Sequence, residues 1–468
     1  MNYVPDSLGE YSGAHFCIGS GCAEALIIFT ALPEPVIPGL AGAQRRNGDF
    51  MKAVLIFNAL ISIMFTLCFA YQFFYLFVGL FKGDKNFKAS KKHKFAAVIS
   101  ARNERDVIGQ LISSIKKQNY PKDKLDVFVI ADNCTDDTAE VAREAGAIVY
   151  ERFNKEQVGK GYALDWLFKI IKKDYKDAGY EGFMIFDADN ILDPNYVAEM
   201  NKVFDNGYDI LTSYRNSKNF DSNWLSAAYS LWFLREARYL NNARMNLGTS
   251  CAISGTGFLV GANVIEQNGG WIHHLLTEDI EFTCDMVSRG YKIGYAGKAV
   301  LYDEQPTKFS QSYTQRLRWA KGFYQVFTHY GLKLFKGILK GSFSCFDMLM
   351  TIMPAMFLTL LSVLLNAVAI PVAAVMGAPE LSALINALAQ TLVNFYGLFF
   401  VLGVMTLTTE WKQIHCVWYK KITYVFTFPL YMFSYVPIAI IALFKKVEWK
   451  PIKHSVVRTL EDVKSEAA

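Results

Sequence analysis

The chain has 468 residues, 52% of them apolar, with a positive mean hydropathy and a formal net charge of +5. The length predicts two or three domains, and the apolar residues collect in a few runs, which excludes a single water-soluble globule. The basic residues bunch beside those runs, with no basic stripe interleaved with stacking aromatics and no zinc-finger spacing. Nucleic acid is therefore excluded as a partner, and a membrane surface or a small anionic substrate is expected.

Residues 1–50 read as a leader of uncertain structure. Ala25 to Leu32 is apolar but too short to span a bilayer, and Pro33, Pro35 and Pro38 follow it at once. No basic n-region precedes it, so a signal peptide is not expected. Eight cysteines are scattered from Cys17 to Cys416, and Cys17 and Cys22 are the only close pair. That spacing predicts reduced thiols in a cytosolic domain, each serving as a small core residue.

Residues 53–81 carry no charge and exceed the roughly 20 residues a membrane helix needs. Lys82, Lys85, Lys88, Lys91, Lys92 and Lys94 follow, with Asp84 the only acid among them. Positive flanks stay in the cytoplasm, so the next domain is expected there. Within residues 95–300, Phe95–Ser100, Val127–Ala131, Ile148–Tyr150 and Phe183–Phe186 are short β-prone runs. Helical patterns alternate with them, one carrying Leu164, Leu167, Phe168 and Ile171 at i, i+3, i+4, i+7. The alternation predicts an α/β domain with a mostly parallel sheet covered on both faces. Ligands bind beyond the carboxyl ends of such strands, where Asp132 and Asp187 fall.

Residues 305–343 mix Arg316, Arg318, Lys321, Lys333, Lys336 and Lys340 with Phe, Trp, Tyr and Leu, the pattern of helices lying in a membrane interface. Residues 224–240 show a similar mixture and suggest a second such element. The runs Met348–Met376, Leu381–Leu407 and Ile422–Phe444 are further membrane candidates. Three more crossings would leave the C-terminus outside, yet Lys445, Lys446, Lys450, Lys453 and Arg458 favour the cytoplasm. Pro429 and Pro437 break the last run, so a hairpin or interfacial segment reconciles the two, and a cytosolic tail is expected. The divisions are then a leader (1–50), a transmembrane helix (51–82), a cytosolic domain (83–304), interface helices (305–343), transmembrane helices (344–444) and a basic tail (445–468).

Asp187-Ala188-Asp189 follows the strand Phe183–Phe186. Two carboxylates one residue apart on a loop leaving a strand can face one Mg²⁺ or Mn²⁺, completed by phosphate oxygens and water. A solvated acidic turn is the competing explanation. In Asp132-Asn133-Cys134-Thr135-Asp136-Asp137-Thr138, Thr135 reads as a helix N-cap with Asp136 and Asp137 in the first turn. Asp132 is left over as a candidate for nucleoside contact. Lys160, between Gly159 and Gly161 at a helix start, can reach a diphosphate or be an exposed helix lysine; no P-loop string occurs. Thr277-Glu278-Asp279 reads either as a capped helix start or as a site where Asp279 is a general base. Gln315, Arg318 and Trp319 share one helical face, where Trp can stack on a sugar and Arg can hold a phosphate. The alternative is an interfacial Trp beside snorkelling cations. Ser254-Gly255-Thr256-Gly257 reads as a tight loop near an acceptor or as an ordinary turn.

Taken in order, these strings resemble the membrane-embedded family 2 glycosyltransferases, the processive synthases that include cellulose, hyaluronan and poly-N-acetylglucosamine synthases. The match covers roughly residues 95–330. The resemblance implies a GT-A (Rossmann-like) cytosolic domain inserted between transmembrane α-helices. It implies that Asn103 and Glu104, within Ala101-Arg102-Asn103-Glu104, hold the nucleotide together with Asp132. It further implies that Asp187 and Asp189 form the D-x-D metal and diphosphate site and that Asp279 of the T-E-D string is the base. Gln315, Arg318 and Trp319 match Q-x-x-R-W, an acceptor and diphosphate platform, and Lys160 resembles the lysine of G-K-x-x-A-L, with Ala163 and Leu164 following. Ser254–Gly257 is similar to an acceptor-side loop. Unlike cellulose synthases with an appended cyclic di-GMP receptor, the sequence runs only about twenty residues past its last apolar run.

The expected activity is inverting, metal-dependent transfer from a UDP-sugar to a growing β-linked polysaccharide, with extrusion, by a multi-pass enzyme of the plasma membrane in contact with membrane lipid. One alternative is a non-processive transferase acting on a lipid-linked acceptor, against which Q-x-x-R-W argues. Another is a transporter or channel with a regulatory nucleotide-binding domain, disfavoured by the missing Walker lysine and the uncharged Ala53–Phe81.

Overall fold

A computed structural model describes residues 40–376, 378–452 and 454–465. Most of the expected leader, with Cys17 and Cys22, lies outside these residues. The six described cysteines are free thiols. The described residues from 51 onward form one compact unit.

Helix α1 (Leu40–Phe81) ends at the lysine-rich segment, and the domain after it is built on one eight-stranded sheet. Its elements in chain order are β1 (Phe95–Ala101), α2 (Ile108–Lys116), β2 (Leu125–Asp132), α3 (Thr138–Glu144), β3 (Ile148–Arg152), α4 (Lys160–Asp174), β4 (Gly182–Asp187), β5 (Ile191–Leu192), α5 (Tyr196–Asp205), β6 (Ile210–Ser217), α6 (Trp224–Arg235), α7 (Asn242–Leu247), β7 (Phe258–Gly261), α8 (Ala262–Gln267), α9 (Glu278–Ser288) and β8 (Ile293–Asp303). The strand order is β3-β2-β1-β4-β7-β6-β8-β5. β1, β2, β3 and β4 are mutually parallel, β7 runs against both β4 and β6, β8 runs with β6, and β5 runs against β8. Six strands thus end on one edge. The order reverses at β1, whose two neighbours are β2 and β4, and that switch point opens a crevice above the strand ends.

The sequence accounts for the first four strands. β1 (FAAVISA) is buried almost throughout, as a central strand covered on both sides must be. α4 turns Leu164, Leu167, Phe168 and Ile171 inward. The right-handed crossover rule puts α4 on the sheet face opposite α2 and α3. β5 to β8 had no comparable signal. β5 and β7 have two and four residues, and β6 (ILTSYRNS) and β8 (IGYAGKAVLYD) carry polar side chains that the site uses.

Two helical expectations change. α3 begins at Thr138 rather than after Thr135, and the Asp136 carboxylate accepts from both Thr138 N and Thr138 Oγ1. Thr135 N instead donates to Asn103 Oδ1 (2.8 Å). α6 is more enclosed than its composition suggests. Nine of its twelve residues are buried, because β6 and later helices cover it on several sides. Its Asn223 cap accepts from Leu225 N and Ser226 N, a complete capping box. A π-helical turn, Glu236–Asn241, connects it to α7.

After the sheet come α10 (Phe309–Leu339), α11 (Phe343–Ile352), α12 (Pro354–Met376), α13 (Ala378–Thr409), α14 (Trp418–Val425), α15 (Phe428–Phe433), α16 (Tyr435–Phe444) and α17 (Leu460–Ser465). Among the described residues, Gly48–Phe81, Pro354–Met376 and Leu381–Thr409 are long and apolar enough to cross a bilayer. The run containing Pro429 and Pro437 is a pair of segments bent by 43°. Arg244 of α7 meets Asp347 of α11 through two 2.8 Å bonds, both side chains fully buried. Tyr71 and Tyr75 of α1 donate to the same carboxylate at 2.9 and 2.8 Å. Removing one charge of such a pair costs about 3–5 kcal/mol, so this cluster fixes α1 to the domain.

Candidate active site

The strand edge assembles the acids. Asp187 ends β4 and Lys160 opens α4; Lys160 Nζ donates to Asp187 Oδ1 (2.6 Å) and to the Gly255 carbonyl (2.8 Å). The next contact belongs to Asp279 in the first turn of α9, whose Oδ2 accepts from Gly255 N (2.6 Å). Gly255 has a φ of +75°, a conformation that costs a side-chain-bearing residue energy and lets one peptide face both partners. Thr256 Oγ1 accepts from Asp187 N (2.9 Å) and anchors the loop to β4. The folded chain therefore links Asp187, Lys160, the Ser254–Gly257 loop and Asp279 by consecutive hydrogen bonds.

Asp189 lies deeper, 4% exposed, with Oδ2 accepting from Glu304 N (2.8 Å). Burial works to raise its pKa, but His454, Lys218 and the Glu304 amide outweigh burial and hold it below the usual carboxylate range. Asp303 ends β8 and forms an ion pair with Arg215 of β6; burial still pushes its carboxyl up to about 6. Arg215 also donates to the Ser254 carbonyl (2.9 Å).

Two buried carboxyls stand side by side at the start of α9. Burial raises the Asp279 carboxyl, while its backbone donors, Lys160 and Arg318 limit the rise. Burial and the Asp279 charge lift Glu278 to about 7. Burial alone would lower Lys160, but Asp187, Glu278 and Asp279 leave it raised and cationic. On α10, Arg318 Nη1 donates to the Leu276 carbonyl (2.9 Å), one residue before Thr277. Trp319 packs edge-on to Tyr229 (5.9 Å) and Phe233 (6.3 Å). Gln315 Oε1 and Thr277 Oγ1 are buried without a hydrogen-bond partner, and Thr277 packs against Gly322 of α10.

The nucleotide-side residues form a second group. Asn103 (φ +58°) joins the β1 loop to the β2 loop through Thr135. Asp132 is buried, with Oδ1 held by Arg152 Nη1 at 2.6 Å, so an ion pair engages one of its oxygens. The sequence reading did not include Arg152. Glu104 accepts from His454 Nδ1 at 2.9 Å. Burial raises Glu104 to about 7 despite that partner. His454 is pulled the other way: burial lowers it, but Asp189, Glu104 and Glu304 outweigh burial and take it up to about 10.

His454 belongs to a tail segment that crosses the strand edge. Trp449 lies over the Arg102 guanidinium (5.4 Å), Ser455 N and Val456 N donate to the Glu304 carboxylate, and Arg458 reaches the Lys218 carbonyl (2.9 Å). The basic tail looked like a membrane flank, and no local signal placed it here. Asp303 and Glu304 went unmarked too, because β8 mixes glycine and lysine with its apolar residues.

Among the described residues no three His, Cys, Asp or Glu side chains converge as a ready-made metal cage. The residues fit an ion that takes most of its ligands from a diphosphate. Asp187 keeps 38% of its side chain exposed at the edge, the acid pair offers hard oxygen donors, and Lys160 already stands as a cation against Asp187.

The glycosyltransferase like family 2 model matches residues 93–322. A probable glycosyltransferase, YdaM of Bacillus subtilis, is 24% identical over 263 residues, 52% of this chain and 58% of the relative. A beta-monoglucosyldiacylglycerol synthase of Nostoc is 26% identical over 265 residues, 54% and 53% of the two chains. A poly-beta-1,6-N-acetyl-D-glucosamine synthase of Staphylococcus aureus is 26% identical over 235 residues, 49% and 54%. The chain thus spans a little over half the length of these curated relatives. The mannosyltransferase PcManGT of Pyrobaculum calidifontis, solved with GDP-Man and Mn²⁺, shares the fold with a TM-score of 0.54 at 16% identity, over 84% of this chain and 99% of that one. With its GT-A-like α/β sheet and the matched residues 93–322, this chain carries a family 2 glycosyltransferase domain.

Proposed function

We propose that the protein is an inverting, metal-dependent hexosyltransferase that moves a sugar from a UDP-sugar to a growing β-linked polysaccharide at the membrane and extrudes the product. The observation that carries this reading is the hydrogen-bonded series Asp187–Lys160–Gly255–Asp279. It sets a diphosphate-facing cation and a base on either side of one glycine loop.

Asp187 and Asp189 would hold Mg²⁺ or Mn²⁺, which when bound neutralises charge on the leaving diphosphate. Lys160 adds a fixed positive charge beside them. Asp132, Asn103 and Glu104 line the nucleotide side. Asp279, kept basic by burial and aimed by Gly255 N, takes the proton of the acceptor hydroxyl as that oxygen attacks the anomeric carbon from the face opposite the diphosphate. Direct displacement inverts the anomeric centre. Gln315, Arg318 and Trp319 orient the acceptor beside the base.

The described tail and the catalytic domain touch, so they lie on one side of any bilayer. The segments between them then contain an even number of crossings. α12 and α13 supply two, and the bent α14–α16 segment stays in the interface. With the lysines after α1 held in the cytoplasm, the domain and tail are cytosolic and the protein is a multi-pass protein of the plasma membrane.

A second reading, transfer of one sugar to a lipid acceptor, is favoured by the small number of membrane helices and by the Nostoc relative's name. The test is a panel of labelled UDP-sugars and GDP-mannose offered with Mn²⁺ to inverted membrane vesicles, followed by sizing and linkage analysis. A polymer from a UDP-sugar supports the first reading, one sugar per lipid replaces it with the second, and no turnover of any donor refutes both.

A further inference from the structure

We propose that a cavity between α1, α6 and α13 is a binding site for a membrane lipid with a phosphate in its headgroup. The cavity has a volume of about 310 Å³. Its apolar wall is Phe65, Phe69 and Leu76 of α1 with Phe395, Leu398 and Leu402 of α13. Both helices are long and apolar enough to cross a bilayer, so the cavity's surroundings are acyl chains.

One side of the cavity is polar. Arg235, the last residue of α6, donates through Nη2 to Gln72 Oε1 (2.8 Å) and lies 5.3 Å from the Trp232 ring. The ion pairs of this region among the described residues are Arg244–Asp347 and Arg238–Glu410, and Arg235 is in neither. The neighbouring Glu236 carboxylate accepts from Ser254 Oγ instead. The guanidinium lines the cavity, has one hydrogen bond to a neutral amide, and feels the Glu236 charge without an ion pair to it; its remaining donors are complementary to a phosphate, which it can hold bidentately.

The depth suits a headgroup. Toward the domain end of α1, Tyr71 and Tyr75 bond to Asp347, and Gly79 lies so close to Tyr239 that an added Cβ would stand 2.9 Å from the Arg238 carbonyl. One face of the last turns of α1 therefore rests on the catalytic domain, while Phe73, Phe74, Phe77 and Phe81 stay exposed, so Gln72 and Arg235 lie where the domain meets the membrane helix. From Gln72 to Ser62 the cavity follows α1 for about 15 Å, enough for most of an acyl chain. The π-helical turn Glu236–Asn241, which follows Arg235, lines this cavity through Tyr239 and Leu240, and through Glu236, Ala237 and Asn241 it lines a small polar recess with Ser254 and Thr256. A lipid held here abuts the turn whose Glu236 accepts from Ser254 Oγ, at the start of the glycine loop.

The site rests on membrane embedding but not on the donor, acceptor or base assignments. The purified, delipidated full chain is loaded with phosphatidylglycerol or with diacylglycerol of the same acyl chains, and retained lipid is counted by native mass spectrometry without sugar nucleotide. Phosphatidylglycerol is expected to be retained at least about tenfold better than diacylglycerol, the ratio that a charge-assisted bond gives. Arg235→Gln is expected to abolish that preference. Leu398→Trp, which fills the apolar wall and leaves Arg235 intact, is expected to lower retention of both lipids and decides the matter if the arginine variant does not fold. Equal retention of the two lipids by the wild type, wild-type binding by both variants, or full displacement of the lipid by inorganic phosphate alone would overturn the proposal. Absence of sugar transfer would leave the binding result standing.

Discussion

Asp279→Asn separates the base from the scaffold. The carbonyl of the new amide can still accept from Gly255 N, so the loop that joins Asp279 to Lys160 and Asp187 keeps its anchor. What is lost is the proton acceptor. A positioned general base contributes about 10²–10⁴ in rate, so kcat is expected to fall by that factor, about 3–5 kcal/mol in the barrier. Donor affinity is expected to stay within about threefold, because the bonds of Asp279 run to the Gly255 amide and not to the Asn103–Glu104 side of the crevice. The assay is nucleoside diphosphate release from a UDP-sugar, paired with calorimetric donor binding in Mn²⁺. The wild-type pH profile gives a second reading. Burial raises the Asp279 carboxyl above the ordinary aspartate range. Activity is therefore expected to fall on the acid side at a pH above that at which a free aspartate protonates. Turnover by the Asn variant within about threefold of wild type, or a profile that stays flat down to the pH at which a free aspartate protonates, would refute the base assignment.

Asp187→Ala is expected to weaken Mn²⁺-dependent donor binding by about tenfold or more, since it removes the more exposed of the two hard oxygen donors; unchanged Mn²⁺ dependence in calorimetry counts against the metal site. Glu278→Gln is expected to stabilise the fold above neutral pH. Its folded pKa of about 7 exceeds the ordinary glutamate value of 4.5, so the native state holds a proton that the unfolded chain releases, and stability drops as pH rises between those values. The drop is on the order of 3 kcal/mol, shared with Asp279, and a melting temperature in detergent that rises no more for the variant at pH 8 than at pH 5 contradicts it. His454→Ala is expected to release the tail. It removes a charge-assisted bond to Glu104, so the Ser455 and Val456 amides, which donate to Glu304, should exchange hydrogen about tenfold faster. That anchor is strongest between about pH 7, where Glu104 ionises, and about 10, where His454 loses its proton. Unchanged exchange at pH 8 would show that the tail is held by its other contacts.

The sequence by itself determined the parts whose physics is local. β1, β2 and β4 carry continuous apolar runs because a central parallel strand is covered on both faces, β3 is the half-buried edge, and α4 shows its buried stripe at helical spacing. The acids that follow β2 and β4 stand out because a charge at a strand end has nowhere to go but the crevice. Length and apolarity likewise marked 53–81, and the prolines at 429 and 437 marked a break. Only the tertiary structure decided the rest. Lys160 and Asp279 are 119 positions apart, and each reads as an ordinary helix-start residue until Gly255 joins them. α6 has the composition of an interface helix, yet it is buried because the sheet and later helices surround it, which no window of its own residues reveals. The second half of the sheet is written in short or polar strands whose pairing, not composition, makes them strands. The tail's basic residues suit a membrane flank as well as a carboxylate cluster. The difference lies in what faces them: His454 meets Glu104, 350 positions away, and only the folded chain brings those charges together.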